Sequence, residues 1–201
     1  MNKDILICGV GGQGTVLASK IIAASAMDEG ECVHSAETIG MAQRGGSVTS
    51  HVRIGADAYS PLIPFGKADV LLAFEPSEAV RNLKYLKKDG VAIVNTFPVK
   101  PVTDSLGQAG KSGYDAEKMT EYLKGKCSCI LVDSEEACKP FGSTKFFNII
   151  ILGIAAGSGK LGINKDTILK QIGERVPERF VEINRQAFLS GYEKGAQAAH
   201  I

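Results

Sequence analysis

The sequence predicts an α/β fold: a three-layer α/β/α, Rossmann-like domain over residues 1–201, with a mostly parallel or mixed sheet and a helical C-terminal part. Three observations predict it. Short β-branched runs bounded by glycine or polar residues alternate with amphipathic stretches, the pattern of a sheet covered on both faces. A glycine turn, GVGGQG at 9–14, stands between the first such run and the first helical stretch. From Thr144 onward the strand pattern stops and helical periodicity takes over.

The elements follow in order. DILICG at 4–9 reads as the first strand, and TVLASKIIAASAMDEG at 15–30 as a helix with apolar Val16, Ile21, Ile22 and Met27, ended by Gly30. ECVHSA at 31–36, SVTSHVRIG at 47–55 and DVLLAF at 69–74 are the next strands. EPSEAVRNLKYLKKDG at 75–90 reads as a second helix: Pro76 suits a first helical position, and Leu83 and Leu86 extend the face that Val80 begins. GVAIVNT at 90–96 and CSCILVD at 127–133 complete the strands, with a polar, glycine-rich loop at 102–113 between them. Three helices then occupy 144–160, 164–176 behind an Asn164 cap, and 177–199 behind Pro177.

Charge and composition exclude several classes. The 23 Lys and Arg nearly balance the 22 Asp and Glu, so no nucleic acid partner is indicated. No apolar run reaches the roughly 20 residues that span a bilayer, and no signal-like segment precedes Asp4, so a soluble, cytoplasmic chain without a membrane partner is expected. Of the five cysteines, Cys127, Cys129 and Cys138 lie close together. CSC lacks the curled CxxC turn of zinc and iron–sulfur sites, and in a strand Cys127 and Cys129 share one face beside apolar neighbours. They read as buried, reduced structural thiols, with no metal site.

The glycine turn fits GxGxxG through Gly9, Gly11 and Gly14. Gly9, Gly11, Gly12 and Gly14 would present backbone N–H groups at a helix N-terminus, where an anion such as phosphate is favoured; the same turn can also serve packing alone. Gln13 offers an amide donor, and Thr15 and Ser47 offer hydroxyls. GSGK at 157–160 is no phosphate loop, because Ile154 and Leu161 stand where that loop needs glycine and Ser or Thr; it reads as a helix end closed by Gly157 and Gly159. A dinucleotide is poorly supported, since His34 and Ser35 occupy the place of the ribose-binding acid and Glu37 comes late. Within ETIGMAQRGGSVTSHVRIG at 37–55, Arg44 sits beside Gly45 and Gly46, and Ser47, Thr49, His51 and Arg53 share one strand face. Arg44 and Arg53 are the candidates for a carboxylate or phosphate, although a solvated edge strand would look the same.

Taken together, GVGGQG at 9–14, MAQRGGSVTSHVRIG at 41–55 and STKFFNIIILG at 143–153 resemble the gamma-type subunit or domain of the 2-oxoacid:ferredoxin oxidoreductases, from about Ile5 to about Gln197. The wording AETIGMAQRGG and NIIILG is most similar to the indolepyruvate branch. That resemblance implies a large partner subunit carrying thiamine diphosphate and 4Fe–4S clusters. The holoenzyme would decarboxylate a 2-oxoacid oxidatively, pass electrons to ferredoxin and deliver the acyl group to coenzyme A. The present chain would be inert alone, covering the thiamine site and helping to bind coenzyme A. Lys145 and Asn148 match the third motif and would line the same cleft or the subunit interface. Two rivals stand beside this reading. One is a Rossmann-like adenylyltransferase, which would want an Asp after the second strand and paired CxxC ligands that this chain lacks; the other is a non-enzymatic partner-binding module.

Overall fold

The computed structural model describes residues 1–39, 45–99 and 114–198. Six strands, β1 (Lys3–Val10), β2 (Val33–Ile39), β3 (Ser47–Ile54), β4 (Ala68–Ala73), β5 (Leu86–Asn95) and β6 (Ser128–Val132), form one sheet of order β2-β3-β1-β4-β5-β6. β1, β4, β5 and β6 run parallel, whereas β3 is antiparallel to both β1 and β2. The sheet is therefore mixed. The reason lies in the link: residues 40–46 are too few for a parallel crossover, which needs about a dozen, so the chain must return antiparallel.

Alternate residues of the central strands fill two cores. Ile5, Ile7, Val70, Leu72 and Ile93 point to one face, where α1 (Thr15–Asp28) and α5 (Phe147–Gly157) pack. Leu6, Cys8, Leu71, Ala92 and Val94 point to the other, covered by α2 (Pro76–Asn82) and α3 (Ala116–Lys124). The three-layer expectation holds on these contacts.

Several boundaries differ from the sequence reading. The stretch at 75–90 is helical only to Asn82, followed by one 3-10 turn at Leu83–Tyr85; Leu86 already pairs with Ala68 as the first residue of β5. Met27 is 63% exposed, and the buried stripe of α1 runs through Ala18, Ile21, Ile22, Ser25 and Ala26. α3 and α4 (Ser134–Cys138) have no counterpart in the reading, yet each begins with an Asp cap: Asp115 accepts from the Lys118 amide, and Asp133 from those of Glu135 and Glu136. The loop assigned to 102–113 lies outside the described residues.

The C-terminal helices are α5, α6 (Lys165–Arg175), capped by Asn164, and α7 (Val181–Ala198). α5 is apolar all round because it is buried all round, between the sheet and α7. The α5 and α7 backbones touch: a Cβ on Gly153 would stand 2.2 Å from the Phe188 carbonyl oxygen. Gly157 belongs to this crossing, so the helix is closed by Gly159 alone, at φ +71°. No single described helix is long and apolar enough to cross a membrane.

The cysteine expectation holds only in part. Cys138 is buried, but Cys127 and Cys129 are half-buried, because β6 is an edge strand with β5 on one side only.

Candidate functional site

β1 leads into α1 on one face of the sheet and β4 into α2 on the other, so a crevice opens between their C-terminal ends. In open α/β sheets this switch point is where ligands bind. The glycine turn occupies it. Gly12 at φ +102° and Gly14 at φ +81° adopt left-handed backbone that other residues rarely enter.

Gln13 closes the turn on itself. Its Oε1 accepts from the Val10 amide at 2.8 Å, and its Nε2 donates to the Phe74 carbonyl at 2.9 Å. The side chain expected to donate to a ligand thus ties β1 to β4. It also explains Gly9, where a Cβ would meet Gln13 Oε1 at 2.7 Å and Phe74 Cβ at 2.9 Å. Gly11 is likewise engaged: its amide donates to the Gly46 carbonyl at 2.8 Å, and its carbonyl accepts from the Gly45 amide at 3.3 Å. Ser47, next along, donates its hydroxyl to the buried Glu78 at 2.6 Å. Arg44 lies outside the described residues.

The groups left to face the crevice are those around Gly12, Gly14 and the start of α1. The N-terminus of α1 has no side-chain cap and no acid in its first turn. Its amides therefore keep their partial positive charge. Thr15 is buried, its methyl toward Gly9. Asn148, also buried, sits over Gly14: a Cβ there would lie 2.6 Å from its Nδ2.

A cleft of about 240 Å³ runs from Gly12 and Gly14 past Phe97 and Ser134 to Lys145, and no carboxylate lines it among the described residues. Lys145 is exposed on a 3-10 turn, Thr144–Phe146, started by Ser143. Asn95 shapes the far wall, and the sequence reading passed over it. From the end of β5 its Nδ2 donates to the carbonyls of Phe74 (2.9 Å) and Phe97 (3.3 Å), while its Oδ1 accepts from the amides of Phe97 and Ser134, both at 3.1 Å. A buried Asn at a strand's C-terminal end, GVAIVNT, was its visible signal. Glu75 was passed over too: buried, it caps α2 through the Ser77 and Glu78 amides and accepts from the Tyr114 hydroxyl.

Arg53 is not brought to this cleft, which corrects its place among the ligand candidates. β3 runs antiparallel to β1, so Arg53 pairs with Asp4 at the opposite end of the sheet, while Ser47 pairs with Val10. Its Nε and Nη2 hold the Asp4 carboxylate at 2.8 and 3.3 Å, and its Nη1 donates to the Ser60 carbonyl. The polar face of β3 is neither a ligand surface throughout nor a solvated edge, since β3 lies between β2 and β1. His51 on that face is buried, its Nδ1 accepting from the Ile63 amide at 3.1 Å, and burial holds its pKa below the usual imidazole value. A larger open groove of about 900 Å³ lies between α1, β2 and α6, but Lys20, Glu37, Glu174 and Arg175 give it both signs of charge. Among the described residues, the strand-end cleft combines the uncapped amides of α1 with a lysine and no lining carboxylate. Its chemistry fits an anion such as a phosphate.

Residues 4–194 match the family described as pyruvate ferredoxin/flavodoxin oxidoreductase. The chain is 39% identical over 194 residues to indolepyruvate oxidoreductase subunit IorB of Archaeoglobus fulgidus, covering 96% of each. It superposes with a TM-score of 0.70 and 26% identity on the gamma subunit of a keto/oxoacid ferredoxin oxidoreductase from Geobacter sulfurreducens, covering 97% of this chain and 99% of that one. It shares its fold, at a TM-score of 0.68 and 18% identity, with a 2-oxoglutarate:ferredoxin oxidoreductase from Magnetococcus marinus with 2-oxoglutarate, coenzyme A and succinyl-CoA bound; the match covers 99% of this chain and 31% of that one. The full-length sequence match and the shared fold agree with the motif resemblance, and the chain belongs to the pyruvate ferredoxin/flavodoxin oxidoreductase family.

Proposed function

We propose that this chain, acting as one gamma-type domain, is the small subunit of a 2-oxoacid:ferredoxin oxidoreductase of the indolepyruvate type. A larger partner subunit holds thiamine diphosphate and 4Fe–4S clusters, and the complex converts an aryl 2-oxoacid to its acyl-CoA while reducing ferredoxin. The complex works in the cytoplasm. The adenylyltransferase alternative is not favoured by the relatives.

The observation that carries the proposal is the strand-end cleft, where the uncapped N-terminus of α1 and Lys145 face one space without a lining carboxylate among the described residues. Coenzyme A, when bound, supplies the thiol that takes the acyl group and brings phosphates that need neutralising. Lys145 meets that negative charge, and the α1 amides add roughly 0.3–1 kcal/mol. Asn148 offers its amide beside Gly14. Gln13 and Asn95 hold the walls, and the chain performs no bond-making step itself.

In the reconstituted complex, Lys145→Ala is expected to raise the KM for coenzyme A about two- to fivefold, the loss of about 0.4–1 kcal/mol of charge pairing. kcat at saturating coenzyme A and the KM for the 2-oxoacid should stay as in the wild type. An unchanged KM for coenzyme A removes the ligand role of the cleft.

A further inference from the structure

Cys127 and Cys129 differ from the other cysteines in place and surroundings. Cys127 stands at a bend between α3 and β6, outside the β5/β6 ladder, which begins with Ser128 opposite Val91. Cys129, two residues on, pairs with Ala92 in an edge strand. Both thiols are half-buried and lie on the side of Leu123 and Leu131. The Cys127 Sγ also lies 3.5 Å from the Leu123 carbonyl oxygen. Exposed Lys124 and Lys126 precede the pair; the Cys127 thiol and burial push the Cys129 pKa well up, and the Lys124 charge offsets that only in part. The neighbouring Cys129 thiol holds the Cys127 pKa below the usual thiol value, which favours its thiolate. By contrast, Cys8 and Cys138 are buried, burial pushing the latter up to about 11, and Cys32 is exposed but alone among the cysteines in its part of the chain.

A half-buried thiol beside exposed lysines, with a second half-buried thiol two residues on at an edge strand, is the arrangement of an oxidisable dithiol. We propose that Cys127 and Cys129 form a redox-responsive pair at the entry of β6 that closes to an intrachain disulfide when a hydroperoxide is the oxidant. The Cys127 thiolate attacks one peroxide oxygen; the O–O bond breaks, and the alkoxide or hydroxide leaves and takes a proton. The resulting sulfenic acid is attacked by the Cys129 sulfur, the S–O bond breaks, and hydroxide leaves as water with the Cys129 proton. Two thiols lose two electrons in all, and the hydroperoxide is reduced to an alcohol, or water, plus water. Two strand steps separate Cα atoms by about 6.6 Å, near the upper limit of about 6.8 Å for a disulfide. Closure therefore has to draw Cys127 inward, which its position outside the ladder permits.

The test uses the full-length chain, reduced and then exposed to one equivalent of hydrogen peroxide, with remaining thiols alkylated. Cleavage before aspartate separates Cys127 and Cys129 from Cys138, because Asp133 lies between them. The fragment carrying Cys127 and Cys129 is expected to lose about 2 Da, at least about tenfold faster than Cys32 loses its free thiol. Cys129→Ser should leave a sulfenic acid at Cys127 that dimedone traps. Oxidation of Cys32 at an equal or greater rate, or no mass loss in that fragment of the wild-type chain, overturns the proposal.

Discussion

Gly11 and Gly46 are joined by a 2.8 Å backbone hydrogen bond, with Gly45 returning one to Gly11, so two glycine motifs distant in the chain are one structural unit. They extend the β1/β3 ladder beyond the Val10 and Ser47 pair, and the hydroxyl of Ser47 anchors that corner to Glu78 on α2. Glu78 is buried, and its other partner, Arg81, is largely exposed. Ser47→Ala should therefore cost about 1–3 kcal/mol, the value of a hydrogen bond to a buried charge. Urea denaturation checks it; an unchanged midpoint means the corner is held by the backbone pairs alone.

Gly14 and Gly12 share a left-handed backbone but not their surroundings. Alanine at either site pays about 1–2 kcal/mol for the conformation. At Gly14 the new methyl also meets Asn148, whereas at Gly12 nothing lies within 4 Å. Gly14→Ala is therefore expected to be the more destabilising, by about 1–3 kcal/mol. Adding Asn148→Ala should recover part of that difference. Thermal unfolding of the two single variants and the double variant decides it, and equal losses at Gly12 and Gly14 contradict the close approach of Asn148.

His51 gives the fold an acid-sensitive point. Its Nδ1 accepts a hydrogen bond, so the folded ring is neutral, and burial keeps its pKa below the usual 6.5. In the unfolded chain the ring titrates at the usual value. As pH falls below 6.5 the unfolded state takes up a proton that the folded state refuses, so stability present above that pH is progressively lost until the folded imidazole itself titrates. His51→Asn keeps an acceptor without the titration. The decline of melting temperature between pH 6.5 and about 5 should be shallower in this variant; an identical decline assigns the acid sensitivity elsewhere.

Much of this was legible in the sequence. Each of the six strands overlaps a short apolar run of the reading, although β2 continues past ECVHSA to Ile39 and β5 starts at Leu86, before GVAIVNT, and the glycine turn announces the β1/α1 junction. The direction of β3 was legible only through the shortness of the 40–46 link, because residue alternation is the same in parallel and antiparallel strands. That direction decides the fate of Arg53: it shares a face with Ser47, but it lies at the far end of the sheet, bound to Asp4. Gln13 and Asn95 illustrate another limit. Amide side chains look alike whether they meet a ligand or close a backbone corner, and only the carbonyl of Phe74, brought near by the β1/β4 and β4/β5 pairings, decides. Arg44 stays outside the described residues.

The subunit assignment is tested most directly by 2-oxoacid- and coenzyme A-dependent reduction of ferredoxin, measured on this chain, on the large subunit that co-purifies with it from native cells, and on the two mixed. Turnover with indolepyruvate is expected only in the mixture. Turnover by this chain alone, or full activity of the large subunit without it, contradicts the assignment.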